Sequence, residues 1–349
     1  MSNSKLIHVW TVPSPCGISK TAWRVARYLR EKGYNIKYIN FLPLPFKIQR
    51  IVGGRKEIIH HGPAMNVENL FTSFYIGEPT ADQIIGSKIK YLVWMPYLEG
   101  RPYLRGDQYV ALKKKVDVFI APSKYVCEKL EEIGFWCNDV KIPGVDPPEW
   151  SYIEPYYRAY RARWSCKFVF LYIAHNQPRK AFDKLIEATK ILMKEANKPF
   201  MVYLFTNKAP RDYPRNVFVV DTRSGHISEE EIWGMLHAAD VYVHAAMAEG
   251  LGIPIIEALY AGTPVVCLDA PPMNELVNSE VAITFPWYKI EWHRFYNLMW
   301  FEHKVYDPKE LAEAMAKAME RKWDRRKIRE FGKRYYYKEA LRGIEKYFE

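Results

Sequence analysis

Short apolar runs that alternate with helical-period segments predict an α/β protein made of two doubly wound units, each built around a parallel sheet. Three observations carry that expectation. The alternation itself is one. The second is a length of 349 residues, more than a single core normally organises. The third is a Pro/Gly-rich stretch, IPGVDPPEW (142–150), after which the alternation starts again.

In the first half, LIHVWTV (6–12) reads as a strand, 19–32 as a helix stopped by Gly33, and NIKYINF (35–41) as the next strand. KYLVWM (90–95) and VDVFIAPS (116–123) follow as strands, then a helix over 124–133 ended by Gly134. In the second half the strands are KFVFLYIA (167–174), MVYLFT (201–206), VFVVDT (217–222), VYVHAA (241–246) and PVVCLD (264–269). Helices over 182–195, 228–239 and 254–260 separate them. From Pro308 onward the chain reads as helical and strongly charged, with its Lys/Arg cluster most simply a solvated face. The expected domains are therefore 1–147, 148–330, and a terminal helix over 331–349 packing back toward the first domain. Ligands of such sheets lie outside the carboxyl ends of the strands, in a cleft between the two units.

Composition narrows the function classes. No apolar run approaches the roughly 18 residues needed to cross a bilayer, and MSNSKLIHVW lacks the features of a signal peptide, so a cytoplasmic location is expected. The cysteines, Cys16, Cys127, Cys137, Cys166 and Cys267, are scattered and suggest neither a disulfide framework nor a zinc site. A net charge of +11 points to an anionic partner, whether nucleic acid, a membrane surface or a phosphorylated substrate.

The most informative segment is AEGLGIPIIEALYAGTPVV (248–266). A strand leads into a loop with Gly250, Leu251 and Gly252, and Pro254 stands where a first helical turn tolerates proline. Such a helix start presents free N–H groups and a positive dipole end to a phosphate or a sugar hydroxyl. Glu249 precedes the helix and Glu257 lies on it, about 12 Å further along by rise per residue. Two carboxylates so placed can accept paired hydrogen bonds from the sugar and from the ribose.

Glu249, Gly250, Gly252, Pro254, Glu257, Ala258, Gly262, Thr263 and Pro264 resemble the E-x7-E signature of the family 4 glycosyltransferases. That resemblance implies the GT-B fold, two facing Rossmann-like domains with a cleft between them. AHNQPRKAFDKLIEA (174–188) resembles the family's basic loop, with Lys180 at its lysine position and His175 where an arginine is usual, so that Arg179 supplies the second cation. Surface solvation of Arg179 and Lys180 is the plainer alternative. VPSPCGISKTAW (12–23) stands where the family has a glycine-rich turn and retains Gly17, with Cys16 beside it as a small filler. IPGVD (142–146), GHISEEEIWGMLHAADVYVHAA (225–246), with a base-contacting loop before its helix, and APPMNEL (270–276) extend the likeness over most of the chain.

What the resemblance implies is a retaining hexosyltransferase that uses a UDP- or GDP-sugar as substrate, with no cofactor and no metal. Glu249, Lys180 and Arg179 are its catalytic group, and Gly17, His175, Gly250, Leu251, Gly252 and Glu257 complete the donor contacts. Glu78, Tyr97 and Glu99 are the acceptor-side candidates, since YLVWMPYLEGRPY (91–103) departs from the family pattern. The acceptor would be a glycan, a lipid-linked sugar or another hydroxyl compound, with peripheral contact to an anionic membrane. The aromatic segment 285–306 reads as an insertion that serves as a lid or a membrane contact. Two other readings stand beside this one: a nucleic-acid-binding or nucleic-acid-modifying glucosyltransferase, and a catalytically idle sugar-nucleotide-binding relative.

Overall fold

A computed structural model describes residues 5–11, 17–40, 48–52, 55–59, 66–76, 78–165, 167–221, 227–295 and 299–349. Two compact units divide the chain. The first comprises Met1–Pro143, His293–Phe301 and Ala340–Glu349; the second comprises Gly144–Trp292 and Glu302–Glu339.

In the first unit the elements run β1 (Leu6–Thr11), α1 (Gly17–Glu31), β2 (Asn35–Asn40), an antiparallel hairpin of β3 (Ile48–Val52) and β4 (Arg55–Ile59), and β5 (Asn66–Thr72). They continue through α2 (Glu78–Ile85), β6 (Lys88–Trp94), β7 (Gly100–Pro102), α3 (Gly106–Lys115), β8 (Val118–Ala121), α4 (Lys124–Glu132) and β9 (Asp139–Val140). The main sheet is parallel in the order β2-β1-β5-β6-β8-β9. Chain direction across it therefore reverses between β1 and β5. Ala22, Val25, Ala26 and Leu29 recur at helical spacing on α1 and are buried, as an amphipathic crossover helix requires. Trp10, Leu70, Trp94 and Phe119 centre the core.

The second unit opens with α5 (Trp150–Arg163), then β10 (Phe168–Ile173), α6 (Phe182–Glu195), β11 (Phe200–Thr206), β12 (Val217–Asp221), α7 (Glu229–Ala238) and β13 (Val241–His244). After these come α8 (Ile253–Ala261), β14 (Val265–Leu268), β15 (Ala282–Phe285), α9 (Pro308–Glu320) and α10 (Arg325–Gly332), while β16 (Lys289–Phe295), β17 (Met299–Val305) and α11 (Tyr337–Ala340) each have residues in both units. Its sheet is parallel in the order β12-β11-β10-β13-β14-β15, so the reversal falls between β10 and β13. Trp233, Tyr172, Tyr203, Tyr242 and Phe285 are fully buried around it. Both units are Rossmann-like domains of the GT-B class.

Two expectations are overturned, for the scattered cysteines and for a single terminal helix, and two further segments take forms the sequence left open. Cys127 on α4 and Cys137 ahead of β9 form a disulfide, their Cα atoms 5.4 Å apart, because the chain turns at Gly134 (φ 79°) after α4 and comes back to pair β9 with β8. The stretch after residue 150 is a helix in spite of Pro155 within it. Gly234 lets α5 lie close on α7, since a Cβ there would stand 2.5 Å from that of Tyr156, and Tyr160 Oη donates to Glu231 Oε1 across the same contact (2.6 Å). Segment 285–306 is a pair of strands, and Met299–Phe301 of β17 pairs antiparallel with β7 inside the first unit. Residues 331–349 finish as short turns and α11 in place of one terminal helix. Among the described residues no helix is long and apolar enough to cross a membrane.

Candidate active site

The point where the second sheet reverses is where the chain leaves β10 and β13 in opposite directions, opening a crevice at their carboxyl ends. After β10 the loop 174–177 enters a single 3-10 turn, Pro178–Lys180, and Ala181 takes a left-handed conformation (φ 51°) to start α6. After β13 the chain reaches Glu249 and the loop of Gly250, Leu251 and Gly252. Gly252 has φ 97°, a conformation that costs a residue with a Cβ, and α8 begins directly behind it with Pro254 in its first turn.

These two loops meet. Met247 N–H donates to the carbonyl of Arg179 (2.8 Å). Lys180 Nζ is ion-paired with Glu249 Oε1. Arg179 Nη1 stands 3.4 Å from Glu249 Oε2 and donates to the carbonyl of Ala248 (3.3 Å). His244 Nε2, at the end of β13, lies 3.0 Å from the same Oε1 that Lys180 engages. Three potential cations thus surround one carboxylate that is 7% exposed. Burial alone would raise the Glu249 pKa; Lys180, His244 and Arg179 outweigh it and hold the carboxyl far below the usual carboxylate range. Arg179 is itself buried, so solvation on the surface does not describe it.

The remaining donor-side candidates lie on the same loops or on α8, with one exception. His175 follows β10, and its pKa is lowered by desolvation and then by Lys180 and Arg179, which leaves it neutral near pH 7. It therefore does not supply the charge of the arginine it stands in for. Gly250, Leu251 and Glu257 are buried, Glu257 on α8. The exception is Gly17, which opens α1 in the first unit.

The acceptor-side candidates belong to the first unit. Tyr97 Oη shares a 2.5 Å hydrogen bond with Thr21 Oγ1, which also donates to the Gly17 carbonyl (3.0 Å). Tyr75 Oη donates to Glu99 Oε1 (3.2 Å), and Ser73 Oγ to the carbonyl of Ile18 (2.8 Å). Tyr97 and Glu99 are thus packed into the carboxyl end of the first sheet. The side chain of Glu78, the turn 12–16 with Cys16, and Gly225 and His226, which open the segment expected to contact the base, lie outside the described residues.

Sequence reasoning missed four side chains here. His244 was read only as part of a strand. Tyr172 Oη donates to the Lys180 carbonyl (2.8 Å) and fixes the 3-10 turn from below. Glu302 and Lys304 on β17 are buried and ion-paired at 3.1 Å, and Lys304 N–H donates to the Met247 carbonyl (2.9 Å), which places β17 against the Glu249 loop. Their signal was a charged triplet, Glu302-His303-Lys304, at the end of an otherwise apolar and aromatic run. Among the described residues no group of three or more His, Cys, Asp or Glu could hold a metal ion.

Residues 221–335, which carry Glu249, Glu257 and α8, match the family of glycosyl transferases group 1. Over those residues the chain is similar to that family. The O-antigen chain mannosyltransferase B of Escherichia coli is 27% identical over 169 residues, covering 46% of this chain and 43% of that protein. The chain thus aligns with less than half the length of that relative. An uncharacterized glycosyltransferase of Sulfolobus islandicus rod-shaped virus 1 is 23% identical over 91% of this chain and 93% of its own length. Among solved structures, Anabaena HepE in complex with UDP and glucose superposes with a TM-score of 0.64 at 15% identity, covering 99% of both chains.

Proposed function

We propose that this chain is a retaining, family 4 glycosyltransferase that moves a hexose from a nucleotide-diphosphate sugar to a hydroxyl acceptor without a metal ion. The observation that carries the proposal is the convergence of Lys180, Arg179 and Glu249 at the point where the second sheet reverses, directly before the start of α8. A diphosphate leaving group needs cations held in place before the bond breaks, and here they are aimed from one rigid turn. Their counterion in the absence of donor is Glu249.

In this reading the acceptor oxygen attacks C1 on the face the phosphate leaves, the C1–O bond to the β-phosphate breaks, and the departing phosphate oxygen takes the acceptor proton. Lys180 and Arg179 neutralise the charge that collects on the diphosphate. Glu249 holds the sugar hydroxyls and Glu257 the ribose. HepE's complex with UDP makes UDP-sugars the first donors to test, and the mannosyltransferase relative adds GDP-mannose.

The acceptor is proposed to be a glycan or lipid-linked sugar, and the net charge of +11 to serve contact with an anionic membrane at the cytoplasmic face. A donor panel in thermal unfolding tests the first step: the right donor at about 100 times its Kd adds roughly 2.7 kcal/mol of stability. NMR of the product then reads the anomeric configuration, and an inverted product overturns the retaining assignment. Sedimentation with anionic vesicles tests the membrane, with release expected as salt rises.

A further inference from the structure

We infer that His244 is a positioning residue which keeps the Glu249 carboxylate in place once a donor diphosphate has drawn Lys180 away from it. This inference rests on the transferase reading above and adds to it a residue outside the E-x7-E pattern and the basic loop.

Lys180 cannot serve two anions equally. In this structure its ammonium is spent on Glu249 Oε1. A diphosphate brings more charge than one carboxylate and would compete for the same Nζ, and Arg179 would be drawn the same way. Glu249 is nearly buried, and a buried carboxylate deprived of its partners is costly, so it would turn toward water or toward another donor unless something held it. The one further group beside that oxygen in the described contacts is His244 Nε2, 3.0 Å away.

The ring is suited to this and to little else. It is 1% exposed at the end of β13, with the rings of Tyr172 and Tyr242 about it at 6.1 Å and 6.0 Å. Neither of its nitrogens has an aligned hydrogen-bond partner, although buried polar atoms normally find one. A small rotation brings Nε2–H into line with Oε1 as Lys180 withdraws. Burial keeps the ring neutral against the pull of Glu249, and Lys180 and Arg179 add to that effect. A neutral ring with its proton on Nε2 donates to the carboxylate without adding a fourth charge.

The test compares steady-state kinetics of the full chain, with a donor that the wild type turns over, for His244→Leu, His244→Gln and each combined with Glu249→Gln. Leu removes the donor group; Gln returns an N–H near the position of Nε2. We expect His244→Leu to lower kcat about 10- to 100-fold with the donor KM within about threefold, and His244→Gln to recover most of the loss. In the Glu249→Gln background, His244→Leu should cost little more, because the ring acts through that carboxylate. Thermal unfolding checks that each variant is folded, and a misfolded Leu variant leaves the Gln pair to decide. An active wild type with His244→Leu within twofold, equal losses in Leu and Gln, or additive losses with Glu249→Gln would overturn the positioning role alone. A wild-type chain that turns over no donor would overturn it together with the transferase reading.

Discussion

The two Rossmann-like units share one topological device and line it with different side chains. In each, the sheet reverses once, between β1 and β5 in the first and between β10 and β13 in the second. The crevice of the second holds charge: Lys180 and Arg179 stand against Glu249, with the neutral ring of His244 beside the same carboxylate, braced by Tyr172 and β17. The crevice of the first is filled mainly by hydroxyls that bond to each other and to backbone carbonyls, namely Ser73, Thr21 and Tyr97, with Glu99 receiving Tyr75. A cationic turn suits a leaving diphosphate, whose charge grows as the bond breaks. Hydroxyls without a net charge suit the orientation of an uncharged alcohol, the role the proposed function gives the first unit.

Glu249→Gln should break the charged half most severely. It keeps the shape and removes the charge, so turnover should fall about 100-fold while donor affinity, with Lys180 and Arg179 freed for phosphate, stays within about threefold. Donor hydrolysis and transfer rates measured beside calorimetric affinity check this. Glu257→Gln sharpens the division within that half: it should raise the donor KM about tenfold with little change in kcat, through a weakened hydrogen bond to the ribose. Tyr97→Phe probes the other half. The loss of one neutral hydrogen bond to Thr21 should raise the acceptor KM about fivefold and leave donor affinity unchanged.

A smaller effect lies in the pH dependence of the second unit. His237 on α7 packs against Trp150, and burial, then Arg329 and Arg325, lower its pKa to about 3. The unfolded chain binds a proton there below about pH 6.5, whereas the folded chain does not until about 3. Stability from this group is therefore complete above 6.5 and declines as pH falls through that window, by up to about 1.4 kcal/mol per pH unit. Urea midpoints at pH 7 and pH 5 should show a smaller drop for His237→Gln than for the wild type. An unchanged drop would remove His237 as a source of acid sensitivity.

The second unit was the more legible in sequence, for physical reasons. Its strands are continuous apolar runs because they are buried on both faces, and its site motif is compact: Glu249 to Gly252 must make a tight turn into a helix. β5 was not read as a strand because Asn66, Glu68 and Asn69 interrupt its apolar pattern; Asn69 is there to donate to the Leu6 carbonyl and lock β5 against β1. The α5 helix was hidden by Pro155 and the prolines before it, and its stability comes from packing on α7 rather than from propensity. His244 could not be singled out from its own strand, since VYVH reads as apolar alternation until Glu249 is known to fold back onto it. The Cys127–Cys137 pair was equally invisible, because the helix α4 that joins them decides their distance.

Whether Lys180 and Arg179 receive a nucleoside diphosphate decides the proposed function. Calorimetric titration of UDP and of GDP into the wild-type chain and into a Lys180→Ala, Arg179→Ala variant, with thermal unfolding to confirm that the variant folds, tests it most directly. The nucleotide bound by the wild type should bind the double variant at least about 100-fold more weakly, the loss of two charge-assisted contacts. Affinity within twofold of wild type in a folded variant, or no binding of either nucleotide to the wild type, would contradict it.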